Sequence, residues 1–68
     1  MKTTLGHEPL VTEAVPGIHR VELEGATVGY VLEAGAVYVS LVGSVYNTSC
    51  EVAQSLDLRT AVHRVIDA

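Results

Sequence analysis

Residues 27–43, TVGYVLEAGAVYVSLVG, constrain this chain more than any other segment, because apolar side chains recur at every second position on both sides of Ala34-Gly35. That period describes a β-hairpin. A two-residue turn at Ala34-Gly35, with glycine supplying a positive φ, sets Leu32 opposite Val37, Tyr30 opposite Val39 and Val28 opposite Leu41. Moving the turn to Gly35-Ala36 keeps these residues on one face, whereas a three-residue loop would flip one strand against the other. The set is wholly apolar and is expected to be the core. Thr27, Gly29, Val31, Tyr38, Ser40 and Val42 fall on the back face.

The flanking segments extend this alternation. Residues 18–23, IHRVEL, end at Glu24-Gly25, a plausible tight turn that pairs Val21 with Val28 and His19 with Tyr30. Val21 and Leu23 then join the core face, and Ile18, Arg20 and Glu22 point to the back. A turn at Asn47-Thr48 places Val45 opposite Cys50 and Gly43 opposite Val52, which sends Cys50 and Val52 to the core and Glu51 and Ala53 to the back. From Asp57 to Ala68, Leu58, Ala61, Val62, Val65 and Ile66 follow the spacing of one helical stripe, with Asp57 as N-cap and Arg64 near the negative end of the dipole. Residues 1–16 contain Gly6, Pro9 and Pro16 without a sustained period and read as an N-terminal arm, since proline is a poor occupant of a central strand. The expected architecture is α+β: a four-stranded antiparallel meander, covered on one face by a single C-terminal helix (ββββα), in one domain spanning 17–68.

A chain of 68 residues buries only about 60% of the surface it exposes when unfolded. Hydrophobic residues nevertheless make up 49% of it and the mean hydropathy is +0.35, more apolar surface than so small a domain can hide alone. An oligomer, with a dimer favoured, or a protein partner is therefore expected. The net charge of -4 leaves Lys2, Arg20, Arg59 and Arg64 as the fixed cations, too few for the basic patch that holds nucleic acid or an anionic membrane. A single cysteine, Cys50, permits no internal disulfide, and neither a secretory leader nor an apolar run long enough to cross a bilayer is evident. The reading is cytoplasmic.

Chemistry-bearing residues are present but do not assemble into a motif. His7, His19 and His63 match no metal-ligand spacing, and the back-face and turn carboxylates Glu22, Glu24, Glu33 and Glu51 read as a solvated surface. Cys50, placed beneath the helix with no cation nearby, reads as a small buried hydrophobe. Gly25, Gly29, Gly35 and Gly43 open no helix and so form no phosphate-binding loop. The expectation is a non-enzyme with no catalytic residues, cofactor or bound metal.

What remains is the back face. With the helix on the other side, Ile18, Val31, Tyr38, Val42, Tyr46 and Ala53 would face water among the small residues Gly29 and Ser40, the makeup of a binding hot spot. The alternative is that the arm lays Leu10, Val11 and Val15 across that face. From Gly29-Tyr30-Val31 through Cys50 to Gln54-Ser55-Leu56-Asp57-Leu58-Arg59-Thr60-Ala61-Val62, the order of strand, Gly turn, strand, polar stretch and acid-capped helix resembles the antitoxin domain of the HicB-like family, over little more than half the chain. That resemblance implies binding to a partner toxin; the DNA-binding segment that members commonly append is not expected here. Scarce Lys, Asn and Ile beside abundant Val, Ala and Gly also give the chain the look of short open reading frames of actinobacteria or their phages. Three functions follow as expectations: a self-associating or host-protein-binding module, an antitoxin-like inhibitor, and a nucleic-acid-binding dimer that gathers Arg20, Arg59 and Arg64.

Overall fold

In a computed structural model that describes residues 8–68, the chain forms a five-stranded antiparallel sheet with one helix packed on it. The strands are β1 (Leu10–Val15), β2 (Ile18–Leu23), β3 (Ala26–Ala34), β4 (Val37–Val42) and β5 (Cys50–Ser55), ordered across the sheet as in the sequence, and α1 covers Leu58–Asp67. The helix and the meander are as expected; the strand count is not. The extra strand is β1, taken from the supposed arm, whose residues 1–7 lie outside the described residues. Pro9 and Pro16 bound β1 instead of interrupting it, so neither removes a hydrogen bond from the ladder. Val15 pairs with Ile18 across a Pro16-Gly17 turn in which Gly17 takes φ +87°.

The central hairpin turns at Gly35-Ala36, with Ala34 opposite Val37, Leu32 opposite Val39 and Tyr30 opposite Leu41. From Tyr30 to Leu41 the two side-chain sets therefore stay intact, but the helix lies on the opposite one, and Val28, read with the first set, packs instead against the helix-side core. Val21 and Val31 are completely buried against Ala61, Val62 and Val65, with Tyr38, Leu58 and Ile66 packed around them. The physical reason is the seat. A helix needs close approach, and Gly29 provides it: a Cβ there would run into the Leu41 carbonyl oxygen and a Val65 methyl. Beside it, the Ser40 hydroxyl donates to the Ala61 carbonyl at 2.8 Å, which satisfies a wholly buried polar side chain. The rival face, crowded with Tyr30, Leu32, Val39 and Leu41, offers no such trough.

Two bulges complete the difference. In β2 and β3 the pairing runs His19 to Val31 and Val21 to Gly29, then shifts so that Glu22 meets Thr27 and Val28 is the extra residue. That one-residue slip puts His19 and Val21 under the helix and turns Ile18 and Arg20 to the open side, the reverse of the expected sides relative to Val31. Between β4 and β5, Ser40 pairs with Ala53 but Leu41 with Glu51, and the connection is a longer loop holding a short 3-10 turn at Tyr46–Thr48. Cys50 is accordingly exposed, not buried beneath the helix. The helix begins as its sequence suggests: Asp57 accepts from the Thr60 amide at 2.8 Å and from the Thr60 hydroxyl at 3.1 Å.

Two outcomes follow from this seat and this cap. Gly29→Ala should destabilise the fold by about 1–3 kcal/mol, read from the urea midpoint, and Val65→Ala should relieve it only in part because the Leu41 carbonyl stays in place. The Thr60 hydrogen bonds hold the Asp57 carboxyl below its ordinary value of 3.8. Its contribution is thus present above pH 3.8 and is lost as pH falls through the lower folded-state value; helical circular dichroism in acid should show that loss, and Asp57→Asn, which caps without titrating, should remove it.

Candidate functional site

Among the described residues one helix covers one face of the sheet and no element covers the other, here called the open face. Across it run two rows set by strand register, Val15, Ile18, Leu32, Val39 and Gln54, and then Arg20, Tyr30, Leu41 and Glu51, with Val37 alongside. Ile18, Leu32, Val37 and Leu41 are half-buried, and Val39 at the centre is only 8% exposed, although among the described residues no second layer lies over it. Val15 and Leu10 extend the apolar surface along β1 with about half of each side chain in solvent (52% and 59%). At one end, Tyr46 stands edge-on to Tyr30 with ring centroids 5.6 Å apart, and the Tyr30 hydroxyl donates to the Ser44 carbonyl at 2.9 Å. These contacts fix the β4–β5 loop against the rim of the face.

The six residues expected to bind a partner are therefore divided. Ile18 and Tyr46 lie on the open face or its rim. Val31, Tyr38 and Ala53 lie on the helix side, Val31 with no exposure at all, and Val42, paired with Gly29, belongs to that side as well. The division follows from the helix seat and the β2–β3 bulge. Leu32, Val37 and Leu41, read from sequence as core, are partly exposed on the side away from the helix, whereas Val39 on the same side is buried as expected; their alternation was visible, but which apolar face takes the helix was not.

A second grouping has no signal in the linear sequence. Glu13, His19 and Glu33, from three adjacent strands, place one ligand-type atom each within 4.8 Å of the others. His19 Nε2 is 2.7 Å from Glu33 Oε2, and the His19 side chain is 11% exposed while Glu13 and Glu33 are exposed residues. The grouping arises because Glu13 is opposite His19 and His19 opposite Val31, two residues before Glu33. Pairing His19 with Tyr30 hid it. His63 is exposed on the helix, and His7 lies outside the described residues.

Other constellations come apart. His19 and Cys50 are three strands apart, roughly 14 Å at ordinary strand spacing, so they make no nucleophile-base pair. Arg20 sits on the open face, 3.9 Å from Glu22, whereas Arg59 and Arg64 are exposed on the helix on the other side. An apolar groove of about 470 Å³ runs between Pro9 and Val11 of the first strand region and Leu58, Arg59, Val62 and His63 of the helix. Among the described residues no helix is long and apolar enough to cross a membrane. Comparison with protein-family models, curated proteins and solved structures found no match to this chain.

The exposed position of Cys50 has a direct consequence. Its thiol should be alkylated in the native protein, one equivalent per chain, within about tenfold of the rate in denaturant; protection by several orders of magnitude would place it inside.

Proposed function

We propose that this chain is a non-catalytic interaction module that self-associates through the open face of its sheet, two copies packing face to face. The observation that carries the reading is the row of Ile18, Leu32 and Val39, with Val37 and Leu41 beside it, which among the described residues has no covering layer, the helix α1 being spent on the other side of the sheet. Burying such a face contributes roughly 25 cal/mol for every Å² of apolar surface removed from water. Five strands about 4.8 Å apart, paired over about six residues each at roughly 3.3 Å per residue, present on the order of 500 Å² in projection. Two such faces together reach about 1,000 Å², the lower end of a specific interface. Sheets stacked about 10 Å apart would interdigitate these side chains as a sandwich does.

The test is mass in solution by light scattering coupled to size exclusion, over a concentration series. Wild type should run at twice its 7.2 kDa chain mass. Leu32→Lys with Leu41→Lys should weaken association on the order of a hundredfold, since each copy would bring two ammonium groups to the interface, while the helical signal persists. Val31→Lys, by contrast, should unfold the domain. A wild type that stays monomeric at every concentration overturns the homodimer, and a heterologous protein, such as the toxin implied by the HicB-like resemblance, becomes the occupant to seek.

A further inference from the structure

We propose that Glu13, His19 and Glu33 form a binding site for a divalent transition-metal cation, of which Zn²⁺ is the best fit. One imidazole and two carboxylates are a donor set that such ions accept, whereas Ca²⁺ and Mg²⁺ take oxygen ligands throughout. The spacing is right. Bonds of about 2.0–2.1 Å in a tetrahedron set ligand atoms roughly 3.3 Å apart, and here all three lie within 4.8 Å of one another with His19 Nε2 already turned toward Glu33. Small rotations of two exposed carboxylates close the remainder.

The supporting structure is rigid. Each ligand stands on its own strand, and His19 is nine-tenths buried, which holds its ring in place. The Gly17 amide donates to Glu13 Oε2 at 3.0 Å and the Gly17 carbonyl accepts from the Glu33 amide at 2.8 Å, so one turn orients one ligand and anchors the backbone of another. Charge argues the same way. Among the described residues neither Glu13 nor Glu33 pairs with a Lys or Arg, and Arg20, the nearest in sequence to His19, lies on the opposite face beside Glu22. A cation at the centre would neutralise both carboxylates. Three protein ligands leave a fourth position open on the exposed side of the carboxylates, for water or another donor. The site lies on the helix side of the sheet, so it is separate from the open face proposed for association.

The experiment is titration of the untagged full chain with Zn²⁺ by calorimetry, together with thermal unfolding with and without the ion. One Zn²⁺ per chain is expected, with a rise in melting temperature that EDTA reverses. Glu33→Gln and Glu13→Gln, both at exposed positions and checked as folded by circular dichroism, should each weaken binding at least tenfold and abolish the thermal shift. His7→Gln, His63→Gln and Cys50→Ser should bind as wild type. Absence of Zn²⁺ binding overturns the proposal and leaves the cluster as a hydrogen bond between His19 and Glu33 with Glu13 beside it. Unchanged affinity in Glu33→Gln, loss of binding in any of the three control variants, or equal binding of Mg²⁺ overturns it too.

Discussion

The contact between Val65 and Gly29, with Ser40 holding the Ala61 carbonyl beside it, is the constraint on which the remaining structure depends. A ten-residue helix is too short to persist alone in water, and a single sheet with both faces wet has no interior. Each therefore needs the other. Their union buries Val21, Val31, Val62 and Val65, each contributing roughly 1.5–3 kcal/mol, and it is possible only where the sheet lacks bulk along one line. Glycine and serine in adjacent strands draw that line. Choosing it also decides, by exclusion, that Leu32, Val37 and Leu41 are left partly exposed on the far side.

Much of the fold was legible in the sequence for local reasons. The helix from Leu58 to Asp67 and its Asp57 cap follow from a stripe and a side chain a few residues apart, and the Glu24-Gly25 turn follows from glycine placement; Gly35 likewise marked the central turn, which falls at Gly35-Ala36, the alternative to the Ala34-Gly35 turn first read. What could not be read are the decisions made at a distance. Thr27-Val28-Gly29 gives no local sign that Val28 will be the extra residue of a bulge, yet that slip moves His19 and Val21 across the sheet. Alternation separates two faces without ranking them, and here the more apolar set lost to the one with a trough. Prolines at 9 and 16 were read as obstacles to a strand when they are its ends.

The same reasoning explains why the candidate sites were found late. Glu13, His19 and Glu33 are separated by six and fourteen residues and share no periodicity; only the register of three strands brings them together. Ile18 and Tyr46 stayed on the exposed side because their positions depend on a bulge and on packing against Tyr30, neither of which the alternation encodes. A sheet thus carries two independent surfaces within one small chain. One is apolar and broad, the other polar and confined to the end of three strands.

The meander order has a consequence in time. Every strand pairs with its neighbour in sequence, so loop closure is short throughout and the sheet can zip from one hairpin to the next at little entropic cost. The helix follows β5 and docks only after the strands it sits on exist. During synthesis, a nascent sheet would accordingly emerge with both apolar faces bare, and the interval before α1 leaves the ribosome is when this chain is most prone to aggregate or to meet a chaperone. Once α1 has emerged, its seat is a glycine and a serine on the sheet surface in place of a deep pocket, so no pocket has to open before it docks.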